Sequence, residues 1–305
     1  MSDHSPTTRQ LLADAALLLV TLIWGATFVM VKDAVSAFPV FSFMALRFTV
    51  AAAALVPLVL WRRGQLARAA PSGPFSVARL NPRRLARLFL PSLLVGSALF
   101  AGYAFQTAGL QLTTPAKAGF ITGLSVVFVP VAAAVLLRQP PERNAWLGVG
   151  LATVGLALLS LTADLRVEAG DLLVMACAVS FAAHILLLGH FAPRHDPLLL
   201  TLGQLLGVAL LSILAATLFD RPAPLTGQVV FAVAFTGLLA TAAAFGIQTV
   251  AQRFTTTTHT ALIFAAEPVF AGLASFLLIG EVLGPRQLLG CALILVGMVV
   301  AEMKR

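Results

Sequence analysis

Two halves of the chain carry the same order of five long apolar segments. Matching positions lie about 157 residues apart near the start of each half and 142 apart farther along. Because five is an odd number of membrane crossings, the second half must enter a membrane from the side opposite the first. An inverted repeat of this kind is typical of secondary transporters, which expose a site between their halves to each side in turn.

The apolar segments have the composition and length of helices that cross a bilayer. Hydrophobic residues make up 59% of the chain and charged residues 10%, whereas a soluble domain has about 25% charged residues. Segments of about 17–24 residues match a helix that crosses roughly 30 Å of hydrocarbon, and barrel strands would be shorter and alternating. The sequence therefore predicts an all-α integral membrane protein.

Ten spans are predicted, and the basic residues orient them. The spans are 11–31, 39–61, 86–110, 115–137, 144–161, 170–190, 197–219, 228–250, 258–279 and 286–303. With the basic loop at 62–85 in the cytoplasm, 14 Lys and Arg residues lie on that side and 4 on the other. This asymmetry predicts that both termini, including residues 1–10, are cytoplasmic. It also accounts for the net charge of +8, so nucleic-acid binding is not indicated.

Polar residues support the duplication. Gln106-Thr107 matches Gln248-Thr249, and Thr113-Thr114 matches Thr255-Thr256 with no gap between the two pairs. In the earlier spans, Asp14 matches Asp171 and Arg47 matches Gln204. Chance similarity between leucine- and alanine-rich helices is the alternative, and two ungapped matches of polar pairs argue against it. We therefore predict a first repeat at 11–161 and a second at 170–303.

Several short motifs, in this order, resemble the drug/metabolite transporter superfamily, in its ten-helix branch of two EamA-type repeats. They are Trp24-Gly25 with Phe28 and Lys32, Arg47-Phe48, Glu267-Pro268, Gly280-Glu281, Leu289-Gly290 and Val296-Gly297. The first repeat departs from the pattern, since Gln139 matches Glu281 and Ser125-Val126 replaces the Glu-Pro pair.

The resemblance implies a location and an activity. The stretch 117–130 (KAGFITGLSVVFVP) is similar to bacterial exporters of amino acids and metabolites, including aromatic amino acids. This implies an exporter of the cell inner membrane, with a central cavity lined by spans one, three, four, six, eight and nine. Drug, sugar or purine export by the same fold is the alternative, and a membrane-embedded lipid enzyme is a remote one.

Glu267 is the strongest candidate site residue. It lies near the middle of span nine, and Pro268 after it leaves a carbonyl of the preceding turn without its helical donor. An ionisable group at membrane depth is costly and usually faces protein or water. Glu267 can bind a substrate ammonium or carry a coupling proton, or it can anchor helix packing.

Three cationic or titratable side chains have two readings each. Lys117 and its match His259 lie in first helical turns, where the helix dipole attracts anions such as a substrate carboxylate. The alternative for both is an interfacial position. For Arg47, carboxylate binding is the functional reading, and a packing anchor is favoured because its match Gln204 is also polar.

The remaining candidates are uncharged or weakly basic. Gln106 and Gln248 lie mid-helix and can bond a zwitterion or a neighbouring helix. Trp24 and Tyr103 can stack on an apolar substrate or belong to the core. His184 is more often a satisfied core histidine than a proton carrier.

The sequence indicates a small-molecule carrier without a cofactor. It has no nucleotide-binding motif, no plausible metal-ligand set and no cluster of catalytic residues at the membrane face. We therefore predict a transporter and not an enzyme, with the lipid bilayer and a small molecule as partners. Protons are a candidate coupling ion, and the expected oligomeric state is a monomer or weak homodimer.

Overall fold

All regular secondary structure in the described residues is helical. The computed structural model describes residues 8–69, 82–113, 115–136, 138, 140–160, 168–280 and 282–303. The α-helices are α1 (Thr8–Ala37), α2 (Val40–Ala69), α3 (Pro82–Leu110), α4 (Pro115–Gly123), α5 (Ser125–Leu136), α6 (Arg143–Ser160), α7 (Ala169–Phe191), α8 (Pro197–Phe219), α9 (Gly227–Gly237), α10 (Ala244–Ala251), α11 (Thr257–Phe264), α12 (Glu267–Ile279) and α13 (Pro285–Glu302). A 3-10 turn (Ala192–Arg194) follows α7, and a π-helical turn (Leu238–Ala243) joins α9 to α10.

Seven stretches are long and apolar enough to cross a bilayer. They are Thr8–Thr27, Val40–Arg62, Phe89–Leu110, Lys117–Leu136, Ala169–Arg194, Pro197–Phe219 and Gly227–Ala251. A helix satisfies its own backbone groups, which hydrocarbon requires of any spanning segment. The prediction of an all-helical integral membrane protein is therefore confirmed.

Part of the predicted basic loop is helical. Residues 62–69 continue α2, and residues 82–85 begin α3. The prediction ended the second span at 61 because the apolar run ends there, but a helix can continue into water once it leaves the bilayer. The middle of the loop (70–81), the first residues (1–7), Gln139 and Glu281 lie outside the described residues.

Two predicted spans are broken at matching positions. The fourth is interrupted at Leu124, between α4 and α5, and the ninth at Ala265–Ala266, between α11 and α12. Leu124 and Ala266 are 142 residues apart, the offset of the sequence repeat. Pro268, in the first turn of α12, has no N–H for the carbonyl of Phe264. Breaks at membrane depth are tolerated where they are buried in protein or line a water-filled cavity.

Helices α6 and α13 cross at four glycines. A Cβ atom at Gly148 would lie 2.4 Å from the carbonyl oxygen of Gly297, and one at Gly297 would lie 2.6 Å from that of Gly148. Gly155 and Gly290 exclude each other's side chains in the same way, at 2.6 Å in both directions. In sequence, Gly148 matches Gly290 and Gly155 matches Gly297. The contact between Gly148 and Gly297 is therefore the repeat counterpart of the contact between Gly290 and Gly155. Small residues allow this close approach of membrane helices.

The largest apolar core lies where α2, α3, α8 and α9 meet. It includes Phe43, Phe48 and Phe245, which are fully buried. Hydroxyl groups in this interior bond within their own helix: Thr201 donates to the carbonyl of Pro197 and Thr249 to that of Phe245, both at 2.7 Å. These two hydroxyl groups therefore need no partner on another helix.

Candidate binding cavity

A cavity of about 430 Å³ begins at the two helix breaks and extends to one end of the molecule. Its inner part is lined by Trp24, Arg47, Tyr103, Ser125, Phe245, Phe264 and Glu267. Its outer part reaches the last turns of α1, α3 and α6 at Lys32, Asp33, Leu110 and Ser160, and the first turn of α13 at Gln287. A volume of this size suits a small-molecule ligand.

The structure brings together six of the eight predicted site residues. Trp24, Tyr103, Gln106, His184, Gln248 and Glu267 all line the cavity. Lys117 and His259 are not among the described residues that line it. Arg47, which the sequence analysis favoured as a packing anchor, does line it.

Lys117 faces two carboxylates instead of the cavity. Its Nζ lies 3.8 Å from the Asp171 Oδ2 and 3.8 Å from the Glu168 Oε2. Asp171 also accepts hydrogen bonds from the Thr113 hydroxyl and from the Glu168 N–H. The cluster ties the start of α4 to the start of α7.

The positions that match this cluster also lie together. Asp14 on α1 lies near Thr255 and near His259 of α11. In sequence these three residues match Asp171, Thr113 and Lys117. Each copy thus places an acidic, a hydroxyl and a basic or titratable side chain near one another.

Aromatic side chains form the inner wall of the cavity. The Trp24 ring centroid lies 5.4 Å from that of Phe245 and 5.0 Å from that of Phe264. Tyr103 makes edge contacts with Phe181, at 5.4 Å, and with Phe48, at 5.3 Å. These rings give the cavity a mainly apolar surface against which an aromatic or aliphatic group can pack.

His184 bonds to a neighbouring helix, whereas Gln248 bonds only four residues along its own chain segment, and its Oε1 has no partner among the described residues. His184 Nε2 lies 2.9 Å from the Gln204 Oε1, and Gln204 donates to Thr249 at 3.3 Å. Gln248 donates to Gln252 at 3.0 Å. His184 is thus a satisfied interior histidine in this conformation, which is the alternative that the sequence analysis favoured.

Arg47 and Glu267 are the two charged groups at the inner end. Arg47 Nε donates to the Thr241 hydroxyl at 2.7 Å, and Nη2 lies 3.4 Å from both the Tyr103 hydroxyl and the Ala240 carbonyl. Glu267 is the first residue of α12, and within the described residues its carboxylate makes neither a hydrogen bond nor an ion pair. Tyr103 interacts electrostatically with both charges.

The π-helical turn supplies the acceptors for Arg47. Gly96 packs on the carbonyl of Gln204, and Gly237 packs on the carbonyl of Arg47. Because Arg47 and Gln204 are matching positions of the two repeats, Gly96 and Gly237 are also a matching pair, and they are 141 residues apart. Beyond the turn, Gln106 and Gln248 are 142 apart. The second copy therefore holds one extra residue, which the π turn absorbs. This shift could not be predicted from the sequence, because the polar pairs that establish the 142-residue offset begin only at Gln106, beyond the turn.

The other end of the molecule is closed. Val129, Ala182, Ile185 and Ala261 form a buried cluster there, and Gln252 donates to the Ile185 carbonyl at 3.1 Å. The matches of Ala261 and Val129 are Gly119 and Ala271, and both of these line the open cavity. A Cβ atom at Gly119 would meet nothing within 4 Å. The residues that close one end of the protein thus have repeat matches that line the open cavity.

Comparisons with known proteins agree in class. The model of the EamA-like transporter family matches twice, at residues 11–161 and 168–303. An uncharacterized transporter of Archaeoglobus fulgidus is 30% identical over 97% of this chain and 87% of its own length. The uncharacterized transporter YyaM of Bacillus subtilis is 24% identical over 92% of this chain and 90% of its own. A crystal structure of another protein superposes with a TM-score of 0.77 at 23% identity, covering 95% of this chain and 96% of that one.

Proposed function

Because the chain belongs to the EamA-like transporter family, we propose that it is a secondary transporter that exports amino acids or similar small metabolites by alternating access. In this proposal ten spans form two inverted five-helix repeats, at 11–161 and 170–303, in the cell inner membrane with both termini cytoplasmic. The open end of the cavity then faces outward, since α1 ends there and begins at the cytoplasmic side.

The asymmetry of the cavity carries this proposal. With the termini in the cytoplasm, the buried cluster that holds Val129 and Ala261 lies at the cytoplasmic end, while the matching positions, Ala271 and Gly119, both line the open cavity. In an inverted repeat the two copies exchange conformations when access alternates. The inward-facing state is therefore expected to bring Gly119 and Ala271 together and to part Val129 from Ala261.

The crossing of α6 and α13 supports the same arrangement. Its glycine contacts are reciprocal between sequence matches, as a two-fold axis between the repeats would produce. The four glycines place backbone directly against backbone at the crossing point. This helix pair is suited to remain in place while the helices around the cavity move.

Paired cysteines test alternating access directly. In liposomes, Gly119→Cys with Ala271→Cys should become linked by a short bifunctional reagent during turnover, and the link should stop transport. Val129→Cys with Ala261→Cys is the matched pair, and it should link without substrate because those positions already lie in one buried cluster. Failure of the first pair to link under any condition, with the second pair linking, would contradict the model.

Counterflow tests the cargo. Liposomes that contain the purified protein and trapped unlabelled amino acids are expected to accumulate labelled phenylalanine or leucine from outside. Accumulation of purines, sugars or cationic drugs in place of amino acids would support the alternative cargo and set amino acids aside. Because the protein belongs to a transporter family, a lipid-modifying activity is not proposed.

A further inference from the structure

Arg47 is a buried cation whose bonding capacity is only partly used. The side chain is 4% exposed, lines the cavity, and forms no ion pair with a described acidic residue. Hydrocarbon depth disfavours an unpaired charge, which in spanning helices marks a substrate or ion site by default. Burying Arg47 without a direct ion pair is therefore unfavourable, and a bound anion would provide the missing counter-charge.

The guanidinium offers a free edge. Only the Nε bond to Thr241, at 2.7 Å, has good length. The two contacts of Nη2, with Tyr103 and the Ala240 carbonyl, are 3.4 Å long, beyond the usual 2.7–3.2 Å of N–H···O bonds. Nη1 has no partner among the described residues. One terminal nitrogen is thus unbonded, and the other is weakly bonded.

The π turn holds this edge in place. Its Ala240 carbonyl accepts from Trp24 Nε1 at 2.8 Å as well as from Arg47, and the Thr241 hydroxyl donates to the carbonyl of Thr236 at 2.9 Å while it accepts from Arg47 Nε. The guanidinium also lies over the Tyr103 ring, with Cζ 5.0 Å from the centroid. These contacts fix the plane of the guanidinium and leave its terminal nitrogens for a ligand.

We propose that Arg47, positioned by the π turn, binds the carboxylate of the transported substrate, and that Glu267, which lines the same cavity, binds its ammonium. The inference rests on the proposed transport function and names the substrate class as α-amino zwitterions with an apolar side chain. An arginine binds a carboxylate with two parallel N–H···O bonds, which gives orientation as well as affinity. A sugar or purine would leave both buried charges unpaired, which disfavours those substrates.

The experiment compares ligands that differ only in charge. Counterflow of labelled phenylalanine into liposomes is measured with unlabelled phenylalanine, phenylalaninamide or 3-phenylpropionate as competitors, for wild type, Arg47→Gln and Arg47→Lys. Arg253→Gln, at an exposed arginine on the closed side of the protein, is the matched control. Thermal unfolding of each purified variant is measured with and without 3-phenylpropionate.

The proposal predicts a selective loss. Arg47→Gln should weaken competition by phenylalanine and 3-phenylpropionate by about 30-fold or more and leave phenylalaninamide unchanged. Arg47→Lys keeps the charge but loses the fork, so it should show a smaller loss of the same selectivity. It also serves as the test if Arg47→Gln does not fold. Equal weakening of all three competitors in either variant would overturn the carboxylate assignment while leaving transport itself established.

The two proposals fail separately. One outcome is that wild type shows no counterflow, while 3-phenylpropionate raises its unfolding temperature and not that of the Arg47 variants. That result would contradict amino-acid transport and support the anion site. If wild type transports phenylalanine and the Arg47 variants do so with unchanged affinity, the anion site falls and transport stands. Absence of both counterflow and the thermal shift overturns both.

Discussion

Gly148 in the first repeat and its match Gly290 in the second make equivalent backbone contacts, whereas Arg47 and its match Gln204 have diverged. Gln204 is fully buried and bonded to His184 and Thr249. Arg47 faces the cavity with part of its guanidinium unbonded. Gly148 and Gly290 thus both serve helix packing. In the second pair, Gln204 serves packing and Arg47 lines the cavity.

The same contrast appears at the two helix breaks. Both breaks face the cavity, and the residue that restarts the helix is Ser125 in one copy and Glu267 in the other. Where the two repeats keep the same residue type, the position builds the fold. Where only one copy carries a charge, the position is a candidate for binding.

Replacing the charge at one break should matter far more than altering the other break. Glu267→Gln is expected to lower transport by about 30-fold or more, because it removes the charge proposed to pair with the substrate ammonium, and losing one partner of a buried charge pair costs roughly 2–5 kcal/mol. Ser125→Ala, which removes a neutral hydroxyl, should cost about 1 kcal/mol or less, roughly fivefold. Counterflow rates measured across pH, beside folded yield, check both. Equal losses in the two variants would break the contrast between the copies.

The glycine crossing should respond equally in both copies. Gly148→Ala and Gly290→Ala each place a Cβ atom within 2.4–2.6 Å of a backbone oxygen that cannot move aside. Overpacking of this kind costs typically 1–3 kcal/mol, and we expect a similar fall in thermal unfolding temperature for the two variants. Gly150→Ala is the control, since nothing lies within 4 Å of its Cβ position. A large effect in one variant alone would argue against the reciprocal packing.

Trp24→Phe tests the support of the Arg47 site. The change keeps the ring contacts with Phe245 and Phe264 but removes the N–H that bonds the Ala240 carbonyl at 2.8 Å. The loss of one such bond is worth about 1 kcal/mol, so KM for phenylalanine should rise roughly fivefold with little change in kcat. Trp146→Phe, at a more exposed position, is the control. An unchanged KM would mean that the π turn holds Arg47 without Trp24.

The helical membrane class and most of the cavity-lining candidates could be predicted from the sequence, for physical reasons. Period and length of the apolar runs are set by the bilayer, so the helical membrane class was predictable, and Pro268 marked the break beside Glu267. The break at Leu124 carries no such signal. The π turn could not be predicted either, because one inserted residue shifts the repeat offset by only 1. Arg47 does bond to the π turn, at Thr241 and Ala240, as a packing anchor would, but its position in the cavity wall could not be predicted from its match Gln204.

Lys117 gives the smallest expected effect and the sharpest test of the rule. The sequence leaves two interpretations of Lys117, a substrate-carboxylate site and an interfacial position. In the structure its Nζ lies 3.8 Å from two acidic side chains, and its match His259 lies near Asp14. Both copies therefore keep a basic or titratable side chain beside an acid, which by the rule marks a structural position. Lys117 and Asp171 are buried, so Lys117→Ala is expected to lower the thermal unfolding temperature. Because Lys117 does not line the cavity, transport by the folded variant should change by less than about fivefold, the effect of about 1 kcal/mol. Lys117→Ala should also weaken competition by phenylalanine and by phenylalaninamide equally. If phenylalanine alone is weakened, the substrate carboxylate lies at Lys117, and the divergence between Arg47 and Gln204 does not mark the binding site.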